Sequence, residues 1–211
     1  MNTSTPILIY GAGGLGVELL DLCGRTVCYQ GREIFFVDDF KFGSVLLGFP
    51  IISLNQASKD FPGAEMILAS GDPEGRVKMF NAAKSSGFRL PTVIDDTASV
   101  SFNACVGEAT IICARSILAA RSQVGSNVLV NVHSIIGHDV FVDDAAVLAS
   151  MVNTGGGCRI GKRAMLGMGV TLRPGISIGK NTTVALGSTV FSDVPNDVTV
   201  VGNPARVSRK K

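Results

Sequence analysis

Residues 98–130 read ASVSFNACVGEATIICARSILAARSQVGSNVLV, and counting them in sixes decides the fold. Starting at Val100, every sixth residue is Val106, Ile112, Leu118, Val124 and Val130, and the register continues through Ile136, Val142 and Leu148 as far as Val190. Only Thr154 breaks the aliphatic series. Two places before each member sits a small or β-branched residue, such as Ala98, Ala104, Thr110, Ser116, Ser122 and Val128. A helix repeats near 3.6 and a half-buried strand at 2, so a sustained period of six fits neither. It is the hexapeptide repeat of a parallel β-helix, in which three flat faces make a coil of 18 residues and the aliphatic side chain of each face points inward. Coils stack about 4.8 Å apart, so like residues pile on like, and five coils make a prism roughly 24 Å tall.

The repeat also explains the composition. The chain has 25 glycines, no tryptophan and only 6% aromatic residues. Slim aliphatic side chains fill a narrow prism, and glycine turns its corners. One stretch perturbs the register: in SMVNTGGGCRIG, residues 150–161, the inward slot is Thr154 and three glycines follow. Either the coil is flattened there so that something can approach the backbone, or a short loop bulges out. A corner that merely needs glycine accounts for it equally well.

Before residue 98 a different pattern holds. PILIY reads as a buried strand, GLGVELLDLC as a helix, EIFFVDD and AEMILASGD as two further strands, and EGRVKMFNAAKSSGF as a helix stopped by Gly87. LPTVID reads as a last strand of this half. Strand–helix alternation means a parallel sheet with helices on its faces. The expected organisation is a Rossmann-like α/β domain over residues 1–95 and an all-β parallel β-helix over residues 96–211.

Several functions are excluded or disfavoured by the totals. A formal charge of +2 and the lack of a Lys/Arg stripe with interleaved aromatics argue against nucleic acid. The tail ARVSRKK is locally basic and reads as a frayed, solvated end. No apolar run approaches the ~18 residues that cross a bilayer, and MNTSTP has no basic leader region, so the expected location is the cytoplasm. Five cysteines form no C-x-x-C pair, which suits reduced thiols.

The two halves together carry IYGAGGLG after the first strand, FVDD after the second, SGD after the third, IIGHDV within the repeat and VVGNPARV near the end. In these markers the chain resembles the sugar acetyltransferases that join a small Rossmann-like domain to a left-handed β-helix. That family includes sialic acid O-acetyltransferases and N-acetyltransferases of nucleotide-linked amino-sugars. The left hand of the prism is implied by this resemblance, against the usual rule for parallel crossovers.

GAGGLG satisfies G-x-G-x-x-G at Gly11, Gly13 and Gly16, and by itself it is also a dinucleotide fingerprint. About 90 residues is only half a doubly wound domain, too little to wrap a dinucleotide. The resemblance implies that Gly13, Gly14 and Leu15 line the diphosphate or sugar of a nucleotide-sugar. It implies that Asp38 and Asp39 meet the uridine-like part, and Gly71 the base. Some members have histidine where this chain has Leu15. A domain that keeps the fold and lacks nucleotide binding is the alternative.

His133 and His138 are the only histidines. Because Ile136 points inward, His138 falls on the outer surface near a corner, and His133 is outside as well. Two histidines, with no cysteine or carboxylate at suitable spacing, exclude a zinc site. The resemblance makes His138 the catalytic base and Asp139 its acidic partner. It implies acetyl-CoA as co-substrate, lying between neighbouring prisms of a homotrimer and held by Val147, Met168, Gly169, Leu186 and Gly187. At Val147 many members have a second histidine. Cys113 and Cys158 are weak candidates for a covalent nucleophile, and His133 reads as surface. The expected activity is acetyl transfer to the amino group of a nucleotide-linked amino-sugar. The alternatives are O-acetylation of sialic acid or a related sugar, formyl transfer from a folate, or a sugar-binding scaffold whose site has decayed.

Overall fold

The computed structural model describes residues 5–210; Met1–Ser4 and Lys211, at the ends read above for a leader and a basic tail, lie outside that range. The N-terminal part is built from β1 (Ile7–Tyr10), α1 (Gly14–Arg25), β2 (Ile34–Val37), β3 (Val45–Leu46), β4 (Phe49–Ile52), α2 (Leu54–Asp60), β5 (Glu65–Leu68) and α3 (Pro73–Ser85). Its sheet runs in the order β3-β4-β2-β1-β5, parallel except for the β3–β4 hairpin. Ile7, Leu8 and Ile9 are fully buried, as a strand covered on both faces requires. The chain moves from β1 to one side of the sheet for β2 and β4, then to the other side for β5. A crevice therefore opens at the carboxyl ends of these strands, where such sheets bind their ligands.

Val93–Ile94 (β6), which the sequence suggests as the last strand of this half, instead pairs in parallel with Ile111–Ile112 (β9) and opens the prism. From β7 (Ser99–Val100) to β22 (Thr189–Val190), sixteen two-residue strands recur every six residues among the described residues. From β7 to β19 (Thr171–Leu172) each strand pairs with the one eighteen residues on, as in Ile117↔Ile135 and Leu118↔Ile136. Three stacked parallel sheets result, a left-handed β-helix closed by the longer strands β23 (Val198–Gly202) and β24 (Ala205–Lys210). The basic tail is thus not frayed as far as Lys210, because β24 pairs antiparallel with β23. The second residue of each strand points inward, and Ile112, Val130, Leu148, Ile160, Leu166 and their successors form one continuous core.

The three faces differ in what covers them. On the face carrying β6, β9, β12 (Leu129–Val130) and β15 (Val147–Leu148), the outward residues Val93, Ile111, Leu129 and Val147 are buried, in a cluster shared with Ile7, Leu19 and Leu22 of the N-terminal part. This docking face is taken. The other two faces leave Ile117, Ile135 and Phe141 exposed.

Arg76 of α3 fixes the joint. It is 0% exposed and has no carboxylate partner among the described residues. Its guanidinium donates instead to the carbonyls of Leu68 (3.1 Å), Ser70 (3.0 Å), Asn127 (2.8 Å), Ala109 (3.2 Å) and Val128 (3.5 Å). Burial brings its pKa down to about 10, so it remains charged at neutral pH. A buried charge is costly unless its donors are satisfied, and this one is satisfied by backbone from both halves. Arg25 adds a second tie, 3.0 Å from the buried Asp95.

Of the readings offered for Thr154, the bulging loop is the one the structure rules out, and Gly157 turns the corner that follows at φ of +70°. The register passes through it without a loop, and Ile136 pairs with Thr154 directly. Its hydroxyl donates to the carbonyl of Ile135 (3.2 Å) and accepts from the Gly137 N–H (2.9 Å), so the polar side chain is satisfied inside the prism.

Candidate active site

His138 stands on the vertex between β13 (Ile135–Ile136) and β14 (Phe141–Val142), with a side chain 66% exposed. Its Nδ1 lies 2.7 Å from Oδ2 of Asp139. Asp139 turns the corner with φ of +59°, which swings its carboxylate back toward the preceding ring. With Nδ1–H donating to that carboxylate, Nε2 is left as the free acceptor. The carboxyl is held well below the usual carboxylate range, first by hydrogen bonding to Arg121 and then by His138. Arg121 sits eighteen residues earlier, at the same corner one coil below, and sequence reading passed over it. Counting back one coil from Asp139 finds it.

The coil above contributes an absence. A Cβ on Gly156 would overlap Nε2 and Cε1 of His138, so only glycine leaves the ring where it is. The glycine run after Thr154 therefore makes room for the imidazole. No other described group competes as a nucleophile near this vertex. Burial pushes the Cys113 thiol up to about 12 and raises Cys158, whose Sγ donates to the Arg173 carbonyl (3.2 Å). Buried thiols of this kind stay protonated and inert. No group of three or more His, Cys, Asp or Glu able to hold a metal occurs among the described residues.

The N-terminal crevice encloses about 350 Å³ between Tyr10, Gly11, Asp38, Asp39, Phe40 and Lys78. Lys78 also lines a larger trough of about 790 Å³ that runs past Gly71 and Asp72 to Arg163 and Met165 of the prism. Two helices begin near this region, α3 after Asp72 on the trough and α1 after Gly13, two residues on from Gly11 of the crevice, and their N-termini differ. That of α3 is capped by Asp72, whose Oδ2 accepts from Gly75 N–H (2.7 Å), and carries Glu74 in its first turn. That of α1 begins at Gly13 with no side-chain cap and no acidic residue in its first turn. Its N–H groups remain available to an anion. A Cβ on Gly13 or Gly14 would meet nothing within 4 Å, whereas one on Gly16 would overlap the Gly11 carbonyl. The first two glycines thus leave room for a ligand, and the third lets the helix sit against the strand. Leu15 is half-buried against the docking-face cluster.

Asp38 and Asp39 are largely engaged by the chain itself. Asp38 accepts from the N–H groups of Ala12 (3.1 Å) and Phe40 (3.0 Å), and Asp39 Oδ1 accepts from Leu54 N–H (2.8 Å) at the start of α2. Phe40, beside them, is 99% exposed. Burial and the two aspartates raise the Tyr10 pKa.

Met168 and Leu186 project from the vertex between the docking face and its neighbour, next to Gly169 and Gly187, which turn that corner at φ of +69° and +66°. His133 occupies the same corner lower down. Val147 lies apart from them. Its side chain is 1% exposed beneath the N-terminal part, so it offers no surface to a coenzyme. The structure brings His138 to Asp139, and the glycine loop to Asp38. It does not bring the crevice to His138 within one chain, because the crevice overlies the docking face and His138 stands on the opposite vertex.

Residues 6–83 match the family model described as the PglD N-terminal domain. The acetyltransferase domain of PglB from Neisseria gonorrhoeae, solved with acetyl coenzyme A, is 30% identical with a TM-score of 0.87, over 97% of this chain and 99% of that one. WeeI from Acinetobacter baumannii is 27% identical with a TM-score of 0.91, over 97% and 100%. A histidine-to-asparagine variant of perosamine N-acetyltransferase from Caulobacter crescentus, in complex with CoA and GDP-perosamine, is 28% identical with a TM-score of 0.86, over 96% of each chain. Curated relatives match over shorter stretches. Galactoside O-acetyltransferase of Lactococcus lactis is 33% identical over 91 residues, 40% of this chain and 44% of that protein. The chain spans less than half the length of the curated relatives it matches. The fold and these matches together define a hexapeptide-repeat acyltransferase. More narrowly, the chain belongs to the sugar acetyltransferases that couple a PglD-type N-terminal domain to a hexapeptide-repeat helix.

Proposed function

We propose that the protein transfers acetyl from acetyl-CoA to the amino group of a nucleotide-linked amino-sugar, with His138 as general base. The observation that carries this reading is the His138–Asp139 pair, with Nδ1 engaged at 2.7 Å and Nε2 left free on an outer vertex. As the sugar nitrogen bonds to the thioester carbon, Nε2 takes its proton; the carbon–sulfur bond then breaks, and the imidazolium gives that proton to the departing sulfur, so the coenzyme leaves as the thiol and the base is regenerated. A positioned imidazole contributes about 10²–10⁴-fold to such a step. Asp139 fixes the tautomer and stabilises the imidazolium.

The uncapped N-terminus of α1 at Gly13 and Gly14 suits the diphosphate, and the crevice beside Asp39, Phe40 and Gly71 suits the base. Acetyl-CoA is assigned to the exposed corner at Met168, Gly169, Leu186 and Gly187. Structures of perosamine N-acetyltransferase contain CoA and GDP-perosamine, which supports these two classes of ligand. Exposed Ile117, Ile135 and Phe141 support a homotrimer packed through the faces the N-terminal part leaves open. Among the described residues no helix is long and apolar enough to cross a membrane. Reduced thiols and a nucleotide-sugar substrate suit the cytoplasm.

A thiol-release assay with acetyl-CoA, run against amino-sugar nucleotides and sialic acids, tests the reading. Turnover is expected with an amino-sugar nucleotide. Release only with sialic acids would replace N-acetylation by O-acetylation, and release with none would remove the activity.

A further inference from the structure

The His138–Asp139 pair is not isolated. Arg121, 63% exposed on the coil below, grips both oxygens of the carboxylate: Nε donates to Oδ1 at 2.7 Å and Nη2 to Oδ2 at 2.8 Å. The same Oδ2 faces His138 Nδ1. Guanidinium, carboxylate and imidazole therefore form one continuous chain across two coils. The geometry of its members is set by the stack, since Arg121 and Asp139 occupy the same corner position with φ of +59° at each. The coil above presents Gly156 and Gly157, which carry no charge. Among the described residues the charged groups that bear on this carboxylate are Arg121 and His138.

An exposed aspartate next to a histidine has several rotamers, and only some of them meet Nδ1. A planar fork that binds both oxygens removes that freedom, which a point charge does not. We infer that Arg121 is a positioning residue: by clamping Asp139 it holds the carboxylate on Nδ1–H of His138 and keeps Nε2 as the proton-accepting atom. This inference rests on the reading of His138 as the base, although its direct readout needs no turnover. The clamp also ties the base to a coil that does not otherwise contribute to the site.

The test is nitrogen NMR of the two imidazoles in the whole protein, with His133→Gln to assign the signals. The neutral His138 ring is expected to be mainly the Nδ1–H tautomer in the wild type and to shift toward a mixture in Arg121→Met. Arg121→Lys is expected to restore it only in part, because a single ammonium cannot hold both oxygens. In parallel, kcat in Arg121→Met should fall about 10- to 100-fold, with KM for both substrates within about twofold. Thermal melting should be unchanged, since the pair is exposed. An identical tautomer in wild type and Arg121→Met overturns the inference whatever the turnover. A His138→Ala variant as active as wild type would instead sink the proposed base, with the tautomer result still deciding whether the clamp exists.

Discussion

Gly156 shows how a single hydrogen atom sets the His138 vertex. A methyl there would occupy the volume of Nε2 and Cε1, and the ring would have to rotate off Asp139. Gly156→Ala is expected to fold normally, because the ring has open solvent to move into, yet to lose kcat by about 10²-fold. Wild-type turnover in that variant would mean that the ring does not need its position. Asp139 yields a second expectation. Its carboxyl lies well below the usual range because Arg121, and then His138, bond its ionised form. A depressed carboxyl gives its stabilisation above the ordinary value of about 3.9 and loses it only as pH falls through the depressed one. Asp139 therefore stays anionic across the working range, and no limb of the rate profile above about pH 4 should belong to it. Asp139→Asn is expected to lower kcat by about 10- to 10³-fold at every pH, without adding or removing a limb. A limb that disappears in Asp139→Asn would refute this.

At the scale of elements, α3 and the prism meet through Arg76, whose five carbonyl partners come from β5, the loop after it and two prism corners. Arg76→Met removes the charge but leaves several of these carbonyls buried and unpaired, at about 1–3 kcal/mol each. Destabilisation of about 3 kcal/mol or more is expected in denaturant unfolding, and Arg76→Lys should recover little of it, since one ammonium cannot reach all five. A loss below about 1 kcal/mol would show that the joint rests on apolar packing alone. The same element marks where sequence reading stops. The prism was legible because each inward slot tolerates only one kind of side chain, so six-residue periodicity survives ninety residues of otherwise varied sequence. Arg76 was not legible, because its partners are backbone carbonyls, some of them 33 to 52 residues away, and carbonyls carry no residue identity. β6 belongs to the prism although its sequence suggests the first half, for a related reason. A two-residue apolar strand looks the same in either sheet, and only pairing with Ile111–Ile112 decides. A signal for the docking face did exist: its outward slots Val93, Ile111, Leu129, Val147 and Met165 are apolar and then give way to Thr183, where the N-terminal part no longer covers them entirely. Arg121 was hidden only until the chain is read in steps of eighteen.

For the whole molecule, the placement of the two candidate half-sites has a consequence that can be counted. The N-terminal part covers the docking face, and His138 stands on the vertex that this face does not touch. A face of six residues is about 20 Å wide, so a sugar held at Gly13 and Gly14 would have to reach around the prism to meet its own chain's imidazole. A neighbouring chain packed on the open faces can supply His138 more directly. Two variants separate these cases: His138→Ala, which lacks the base, and Gly14→Asp, which puts a carboxylate where the diphosphate is expected. Each alone should be nearly inactive. If every site takes its loop from one chain and its base from the next, random trimers from an equal mixture contain both intact parts at about one interface in four. Co-expression or co-refolding should then restore about a quarter of wild-type turnover. If loop and base act within one chain, no mixed trimer holds a complete site and the mixture stays inactive. A mixture that assembles into trimers without regaining turnover would therefore place the whole reaction on a single prism, against the separation of crevice and vertex seen in the fold.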